Sequence, residues 1–148
     1  MNHTVVLAPH RSRIYDQIVA LRHEVLRKPL GLVFTQEQLD AEATYVHMGL
    51  VVDGQIRAAL YLVNEGNGVI RMRQVAVAFE FQGEGLGREL VFASEQTAGG
   101  LGAEEMILDA RESAIPFYLR IGYETYGEPF EQVGMQHMKM RKRLKERG

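Results

Sequence analysis

Three apolar runs in the middle of the chain, separated by short turn segments, constrain the fold more than any other feature. They span residues 45–52, 55–63 and 69–79. Asp53-Gly54 joins the first two, and this dipeptide favours a two-residue β-hairpin turn. The segment Asn-Glu-Gly-Asn-Gly at 64–68 is the second turn. Strands linked this closely run antiparallel, because a parallel connection needs a long crossover. The pattern therefore predicts an antiparallel meander.

Helical and strand patterns flank this meander. Ser12 and Thr35 are predicted to cap two helices, the first ending at Lys28-Pro29 and the second with Gln38 at the capping-box position. The other predicted elements are strands at 4–8, 105–110, 124–127 and 136–141 and helices at 85–98 and 114–120. The order βααβββαβαββ predicts an α/β or α+β fold, with a mixed, mostly antiparallel central sheet flanked by helices. With 148 residues, 46% of them hydrophobic, the chain is expected to form one domain over 1–148.

The composition argues against several classes of function. The chain has no cysteine, which excludes disulfides, cysteine-ligated zinc and a cysteine nucleophile, and no metal site is predicted. A net charge of −2 argues against nucleic acid as the main partner. No apolar run reaches the roughly 18 residues of a membrane span, and no signal peptide is recognisable, so a cytoplasmic protein is expected. The basic segment 138–148 is interpreted as a last strand ending in a solvated tail.

Gly83, Gly85 and Gly87 lie directly before the predicted third helix. The first turn of a helix leaves backbone N–H groups unpaired and carries partial positive charge, so phosphate binds there readily. Glycine lets the backbone approach a diphosphate closely, and Arg88 would add charge-assisted contacts. The spacing matches neither the nucleotide P-loop nor the GxGxxG dinucleotide fingerprint. From these residues alone, a phosphate cradle and a simple tight turn both remain open.

Two motifs in order resemble the GNAT family of N-acetyltransferases. The first is Gln82-x-x-Gly85-x-Gly87, which follows a Val-Ala-Val strand and precedes an amphipathic helix. The second is Ala-x-x-x-Tyr followed by Gly-Tyr, here at 114–118 and 122–123. The resemblance implies acetyl-CoA as co-substrate and direct transfer of its acetyl group to a primary amine of a small molecule or a protein. A non-catalytic acyl-CoA-binding module is the alternative, and a homodimer is compatible with the family.

The resemblance also implies roles for individual residues. Contacts to acetyl-CoA are expected from Val75, Ala76, Val77, Gln82, Gly83, Glu84, Gly85, Leu86, Gly87, Arg88, Arg111 and Phe117. Arg111 stands where many members have an asparagine that contacts the pantetheine amide. Tyr118 holds the position of the acid that protonates the leaving thiolate.

The base departs from the better-known pattern, because Arg71 replaces the glutamate that some members use, and arginine cannot accept a proton. His137 and a water chain remain the candidates. Arg71 and Arg73 alternate onto one face of their strand, where they would attract an anionic group on the acceptor. Arg22, in a Leu-Arg-x-x-Val-Leu segment of the first helix, is the third residue assigned to acceptor binding.

Overall fold

A computed structural model describes residues 2–144 of the chain. Its strands are β1 (His3–Ala8), β2 (Val46–Val52), β3 (Gln55–Gly66), β4 (Val69–Val77), β5 (Glu105–Arg111), β6 (Glu124–Gln132) and β7 (Met135–Arg143). Its α-helices are α1 (Arg13–Arg22), α2 (Gln36–Asp40), α3 (Leu86–Gly100) and α4 (Ile115–Arg120). This order confirms the predicted succession of elements.

The seven strands form one mixed sheet in the order β1-β2-β3-β4-β5-β7-β6. β4 and β5 run parallel, whereas the pairs β1–β2, β2–β3, β5–β7 and β6–β7 are antiparallel. The predicted fold class is therefore confirmed. None of the helices within residues 2–144 is long and apolar enough to cross a membrane.

The chain divides into two compact units, which are described separately. The first comprises residues 2–63 and 74–94 and holds β1, α1, α2, β2, most of β3, the end of β4 and the start of α3. The Ser12 hydroxyl accepts a hydrogen bond from the Tyr15 amide at 3.1 Å and begins α1, as predicted. Ile18 then lies fully buried with Ala8 and Ala59, so this face of α1 packs on the sheet.

The ends of the first two helices agree with the predicted signals. After α1 the helical path continues as one π-helical turn over His23–Arg27 and a 3-10 turn over Lys28–Leu30, and it ends at Gly31 with a φ of 71°. In α2, the Thr35 hydroxyl accepts from the Gln38 amide while the Gln38 side chain accepts from the Thr35 amide. The predicted capping box is thus confirmed.

The second unit comprises residues 64–73 and 95–144 and holds the start of β4, β5, α4, β6 and β7. β4 pairs with β5 over Val69–Arg71, opposite 105–107. β7 pairs with β5 along the whole of β5 and ends at Arg143. The last four positions of the predicted basic tail lie outside the described residues.

Some predicted boundaries are wrong. β3 continues to Gly66, inside the predicted turn at 64–68. The predicted sixth strand ends at Gly127, ahead of Pro129, whereas β6 continues to Gln132. Its register with β7 shifts between Tyr126 and Phe130, so the interrupting residues form an irregularity inside the strand. β6 is an edge strand, where a proline needs no ladder partner on its outer side.

Candidate functional site

The predicted site residues fall into two groups, one in each unit. In the first unit, β4 leads through a 3-10 turn at Phe79–Phe81 into the glycine segment and then α3. Gly83 and Gly85 both have a φ of 84°, a conformation in which L side chains are strained. A Cβ built on either glycine meets no atom within 4 Å, so the backbone here faces open space.

The start of α3 is anchored by Leu86, whose side chain is buried, so only its backbone can reach a ligand. The first helical turn leaves the N–H groups of Leu86, Gly87 and Arg88 without acceptors inside the helix. Arg88 and Glu84 are both exposed. The segment therefore offers backbone donors and one cation around two open glycines, which is the geometry of an anion cradle.

Gln82 stabilises the path of this segment through two hydrogen bonds. Its side-chain amide donates to the Val77 carbonyl at 3.0 Å, and its backbone N–H donates to the Phe79 carbonyl at 3.3 Å. The sequence predicts that Gln82 contacts acetyl-CoA, but its side-chain amide and its backbone N–H are already engaged, so the N–H groups available to a ligand begin no earlier than Gly83. Gln82 holds the path of the chain from β4 to α3.

Arg57 on β3 is a second brace, which no sequence pattern singles out. Its carbonyl accepts from the Ala78 amide at 2.8 Å, and its guanidinium carbon lies 4.8 Å from the centroid of the Phe81 ring. The same guanidinium is 3.9 Å from a carboxylate oxygen of Glu80. These contacts hold both ends of the 3-10 turn that precedes the glycines.

The end of β4 carries the predicted contacts to the pantetheine arm. Ala76 is buried, whereas Val75 and Val77 are half-buried. Gln74, just before them, has a φ of 56°, which is unusual for a non-glycine residue in a strand. Its side-chain oxygen is buried and has no hydrogen-bond partner among residues 2–144. Strained backbone of this kind is concentrated at functional sites.

In the second unit, Tyr118 lies on α4 with only 7% of its surface exposed. Its ring contacts two other aromatic rings nearly edge to face, that of Phe117 at 5.0 Å and that of Tyr123 at 5.6 Å between centroids. No residue within 2–144 exchanges a hydrogen bond with its hydroxyl. Burial raises the pKa of Tyr118 above its ordinary value of 10, so the phenol stays protonated at neutral pH.

His137 lies on β7 opposite Arg111 of β5 and Phe130 of β6. It is 7% exposed, and its ring stacks on that of Phe130 at 5.6 Å. Its Nδ1 is 2.9 Å from the Met135 carbonyl oxygen, an acceptor, so in the neutral ring Nδ1 carries the proton and Nε2 is free to accept one. The structure thus makes Arg111 and His137 cross-strand neighbours.

The two arginines on β4 have different surroundings. Arg71 is 25% exposed and bonds the carboxylate of Asp109 at 3.2 Å and that of Glu65 at 3.4 Å. Arg73 is exposed. Arg71 is therefore already neutralised by two carboxylates, whereas Arg73 presents its charge to solvent.

The third predicted acceptor contact, Arg22, is corrected by the structure. Its side chain is 0% exposed and bonds both oxygens of Glu42, at 2.8 and 2.6 Å. The guanidinium also lies over the rings of Phe34 and Tyr61, at 4.7 and 5.1 Å. Arg22 is a buried structural cation, and the helical pattern alone could not distinguish it from an exposed one.

Tyr15 and His47 complete this buried cluster. The Tyr15 hydroxyl donates to Glu42 at 2.9 Å, and Nε2 of His47 is 2.9 Å from the Glu42 carbonyl oxygen. Burial, together with the Glu42 carboxylate, raises the pKa of Tyr15. Burial also lowers the pKa of His47, so this histidine is neutral. The cluster joins α1 to β2 within the first unit.

Comparisons with known proteins identify the family that this chain resembles. A family model described as "Acetyltransferase (GNAT) domain" matches residues 23–144, and it therefore includes segments of both units. The chain is 28% identical over 140 residues to the uncharacterized N-acetyltransferase YjcF of Bacillus subtilis, covering 93% of this chain and 97% of that protein.

Two solved structures share the fold. An acyl-CoA N-acyltransferase from Pseudomonas aeruginosa aligns with a TM-score of 0.80 at 21% identity, over 95% of this chain and 99% of that one. A GNAT family acetyltransferase from Elizabethkingia anophelis with acetyl-CoA bound aligns with a TM-score of 0.73 at 17% identity, over 97% and 99%. At these identities the two structures establish the common fold.

Proposed function

Because the chain belongs to the GNAT acetyltransferase family, we propose that it transfers an acetyl group directly from acetyl-CoA to a primary amine of a small molecule or a protein. The observation that carries the proposal is the pair of open, positive-φ glycines, Gly83 and Gly85, at the start of α3. Turn glycines such as Gly54 and Gly134 share the positive φ and the open space. Gly83 and Gly85 differ from them in lying directly before the unpaired N–H groups at the start of α3. The residues present therefore fit the diphosphate of coenzyme A.

The cradle acts mainly through the backbone. The N–H groups of Gly83 to Arg88 would hold the diphosphate, with the Arg88 guanidinium adding a charge-assisted contact. Glu84 contributes its N–H, because its carboxylate would repel the phosphates. The backbone of Val75 and Val77 would pair with the amides of the pantetheine arm as an added strand does. Arg111 and Phe117 remain the predicted contacts farther along the chain.

The reaction is a direct displacement at the thioester. The amine nitrogen attacks the carbonyl carbon, the new C–N bond forms, and the C–S bond breaks. A base takes the proton that the amine loses, and the leaving thiolate takes a proton from the Tyr118 hydroxyl. Burial raises the pKa of Tyr118, so its hydroxyl carries its proton at neutral pH before charge develops on sulfur. The hydroxyl has no acceptor among residues 2–144 that would compete with the thiolate.

His137 is the candidate base. Its Nδ1 is engaged with the Met135 carbonyl, which leaves Nε2 as the nitrogen that can take the amine proton. His137→Gln should lower kcat at neutral pH with little change in KM for acetyl-CoA. An unchanged kcat would assign proton removal to a chain of water molecules instead.

An anionic group on the acceptor is a finer proposal, and it now depends on Arg73. Arg71 is engaged by Glu65 and Asp109 and has little charge to offer. Arg73→Gln should raise KM for an anionic acceptor by roughly 10- to 100-fold, the effect of losing one charge-assisted hydrogen bond of about 1.5–3 kcal/mol. KM for acetyl-CoA should not change.

The proposal is tested by calorimetric titration with acetyl-CoA and then by thiol release against amino acids, polyamines, amino sugars and aminoglycosides. Binding with release on one pool supports an N-acetyltransferase and begins to define its acceptor. Tyr118→Phe should then lower kcat by on the order of 10²-fold with little change in KM for acetyl-CoA. Binding without release on any pool favours an acyl-CoA-binding module, and absence of binding would overturn the proposal.

A further inference from the structure

A partly buried charged cluster lies in the second unit, next to the segment directly after Tyr118. We call it the Glu95 cluster, and it consists of Glu95 on α3, Tyr123 after α4, and Lys142 on β7. The Tyr123 hydroxyl donates to one Glu95 oxygen at 2.8 Å, and the Lys142 ammonium donates to both oxygens at 2.9 and 3.2 Å. The Glu95 side chain is 11% exposed, so water screens these contacts weakly.

The cluster is tied to Tyr118 by backbone hydrogen bonds. The Lys142 ammonium donates to the Ile121 carbonyl at 3.0 Å. The amides of Ile121 and Tyr123 in turn donate to the Tyr118 carbonyl at 3.2 and 3.0 Å. Gly122 between them has a φ of 100°, and a Cβ built on it would lie 3.1 Å from Cε of Lys142. The lysine therefore closes over the turn that ends α4.

A second connection runs through the aromatic rings. Tyr123 packs nearly edge to face against Tyr118, with an interplanar angle of 73°. A phenylalanine at 123 would fill the same apolar space, so packing alone does not call for a hydroxyl. The Tyr123 hydroxyl instead fixes its ring to the Glu95 carboxylate, and that ring limits where the Tyr118 ring can lie.

From these contacts we infer that Glu95 is a positioning residue for the reaction, which, through Tyr123 and Lys142, holds the Tyr118 hydroxyl in the orientation that protonates the leaving thiolate. The inference rests on the proposed function, because it concerns the acid assigned there. A displacement of a reacting group by about 1 Å can lower a rate by on the order of 10²-fold. A charged cluster fully satisfied by short hydrogen bonds is suited to prevent such a displacement.

The test compares four single variants with the wild type. Glu95→Leu removes the acceptor of both hydrogen-bonding partners, Glu95→Gln keeps an acceptor for Tyr123, and Tyr123→Phe removes one hydroxyl. Glu124→Gln is the matched control, since Glu124 forms an ion pair with β7 through Arg141 at 3.0 Å but is 69% exposed. The measurements are kcat and KM with acetyl-CoA and the panel amine that reacts fastest, together with urea unfolding of each variant.

The expected result is a loss in kcat without a loss in binding. Glu95→Leu should lower kcat by roughly tenfold or more, and Glu95→Gln should recover part of that loss. KM for acetyl-CoA should stay within about twofold of the wild type, as should both constants of Glu124→Gln. In a Tyr118→Phe background, Glu95→Leu should lower kcat by less than about twofold, because the hydroxyl that it positions is already absent.

Fluorine NMR of the tyrosine rings tests the inference without an acceptor substrate, and it can also be applied to variants whose stability is reduced. In protein labelled with fluorotyrosine, the Tyr118 resonance is the one absent from Tyr118→Phe. It should shift or broaden in Glu95→Leu and Tyr123→Phe and stay unchanged in Glu124→Gln. If Tyr118→Phe is slow while the Glu95 and Tyr123 variants turn over normally, or if the two losses add, the inference is overturned and the proposed function stands. If Tyr118→Phe itself turns over normally, the acid assignment fails and the inference fails with it.

Discussion

Replacing Glu42 by glutamine should destabilise the protein strongly, although the change preserves size and shape. Arg22 is completely buried, and the carboxylate of Glu42 meets two of its nitrogens at 2.8 and 2.6 Å. The Tyr15 hydroxyl adds a third hydrogen bond to the same carboxylate at 2.9 Å. Glutamine leaves the buried guanidinium without a counter-charge and turns one accepting atom into a donor. Breaking a buried pair in this way costs about 3–5 kcal/mol.

Urea unfolding monitored by far-ultraviolet circular dichroism measures the effect directly. With a slope of about 2 kcal/mol per molar urea, the midpoint should fall by roughly 2 M. The matched control is Asp40→Asn, which removes the charge of Asp40 from its 3.3 Å ion pair with Arg11. The Asp40 side chain is 47% exposed and that of Arg11 is 74% exposed. Solvent screens that pair, so its midpoint should not move measurably. Equal midpoints for Glu42→Gln and Asp40→Asn would refute the reasoning.

The same pair predicts part of the response to acid. Burial by itself raises the pKa of Glu42, but the hydrogen bonds and charge of Arg22, with the Tyr15 hydroxyl, outweigh it and hold the pKa below its ordinary value of 4.5. A carboxyl group whose pKa is lower in the folded than in the unfolded state stabilises the fold fully at a pH above its unfolded-state pKa. That contribution is lost as the pH falls through its folded-state pKa. Wild type should therefore lose more stability than Glu42→Gln on acidification below about pH 4.5.

Individual residues elsewhere in the chain support three more predictions. Gly85→Val should abolish acetyl-CoA binding measured by calorimetry, because the valine side chain fills the open cradle. Gly134→Val is the control for backbone strain, since Gly134 lies in the β6–β7 turn with a similar φ of 71°, and this variant should bind acetyl-CoA normally. Burial lowers the pKa of His47, so on acidification this histidine is protonated in the unfolded chain before it is protonated in the folded protein. Stability, measured by the urea midpoint, should therefore decline as pH falls below 6.5, and it should decline less in His47→Gln. Because burial raises the pKa of Tyr118, tyrosinate absorbance of wild type and Tyr118→Phe should rise equally through about pH 10, and a missing step in the variant would contradict its burial.

Features set by neighbours in the sequence were predictable. The Ser12 cap and the Thr35–Gln38 capping box each depend on residues three positions apart, and the structure contains both. The Asp53-Gly54 turn lies between β2 and β3 as its backbone preferences require. The glycine segment was identified for the same reason, since both the positive φ angles and the helix start are local properties.

Features set by the fold were not predictable in this way. Arg71 meets Asp109 across 38 positions, and Lys142 meets Glu95 across 47. No local rule pairs such residues, because their proximity depends on which strands become neighbours. The positive φ of Gln74 is similar, since it departs from the alternation that made its strand recognisable.

The arginines differ in whether their charge is available to a substrate. Residue type and strand or helix pattern placed Arg22, Arg71 and Arg73 in one class, as cations available to an acceptor. Availability depends on how much of the charge is already neutralised and how far water can reach it. Arg22 has a buried bidentate partner and Arg71 has two carboxylates, while Arg73 is exposed. An arginine already paired can bind an anionic acceptor only by giving up its carboxylate, which costs most where the pair is buried. The hypothesis of an anionic acceptor therefore depends on the charge of Arg73 alone among these three arginines, and a single substitution at Arg73 tests it.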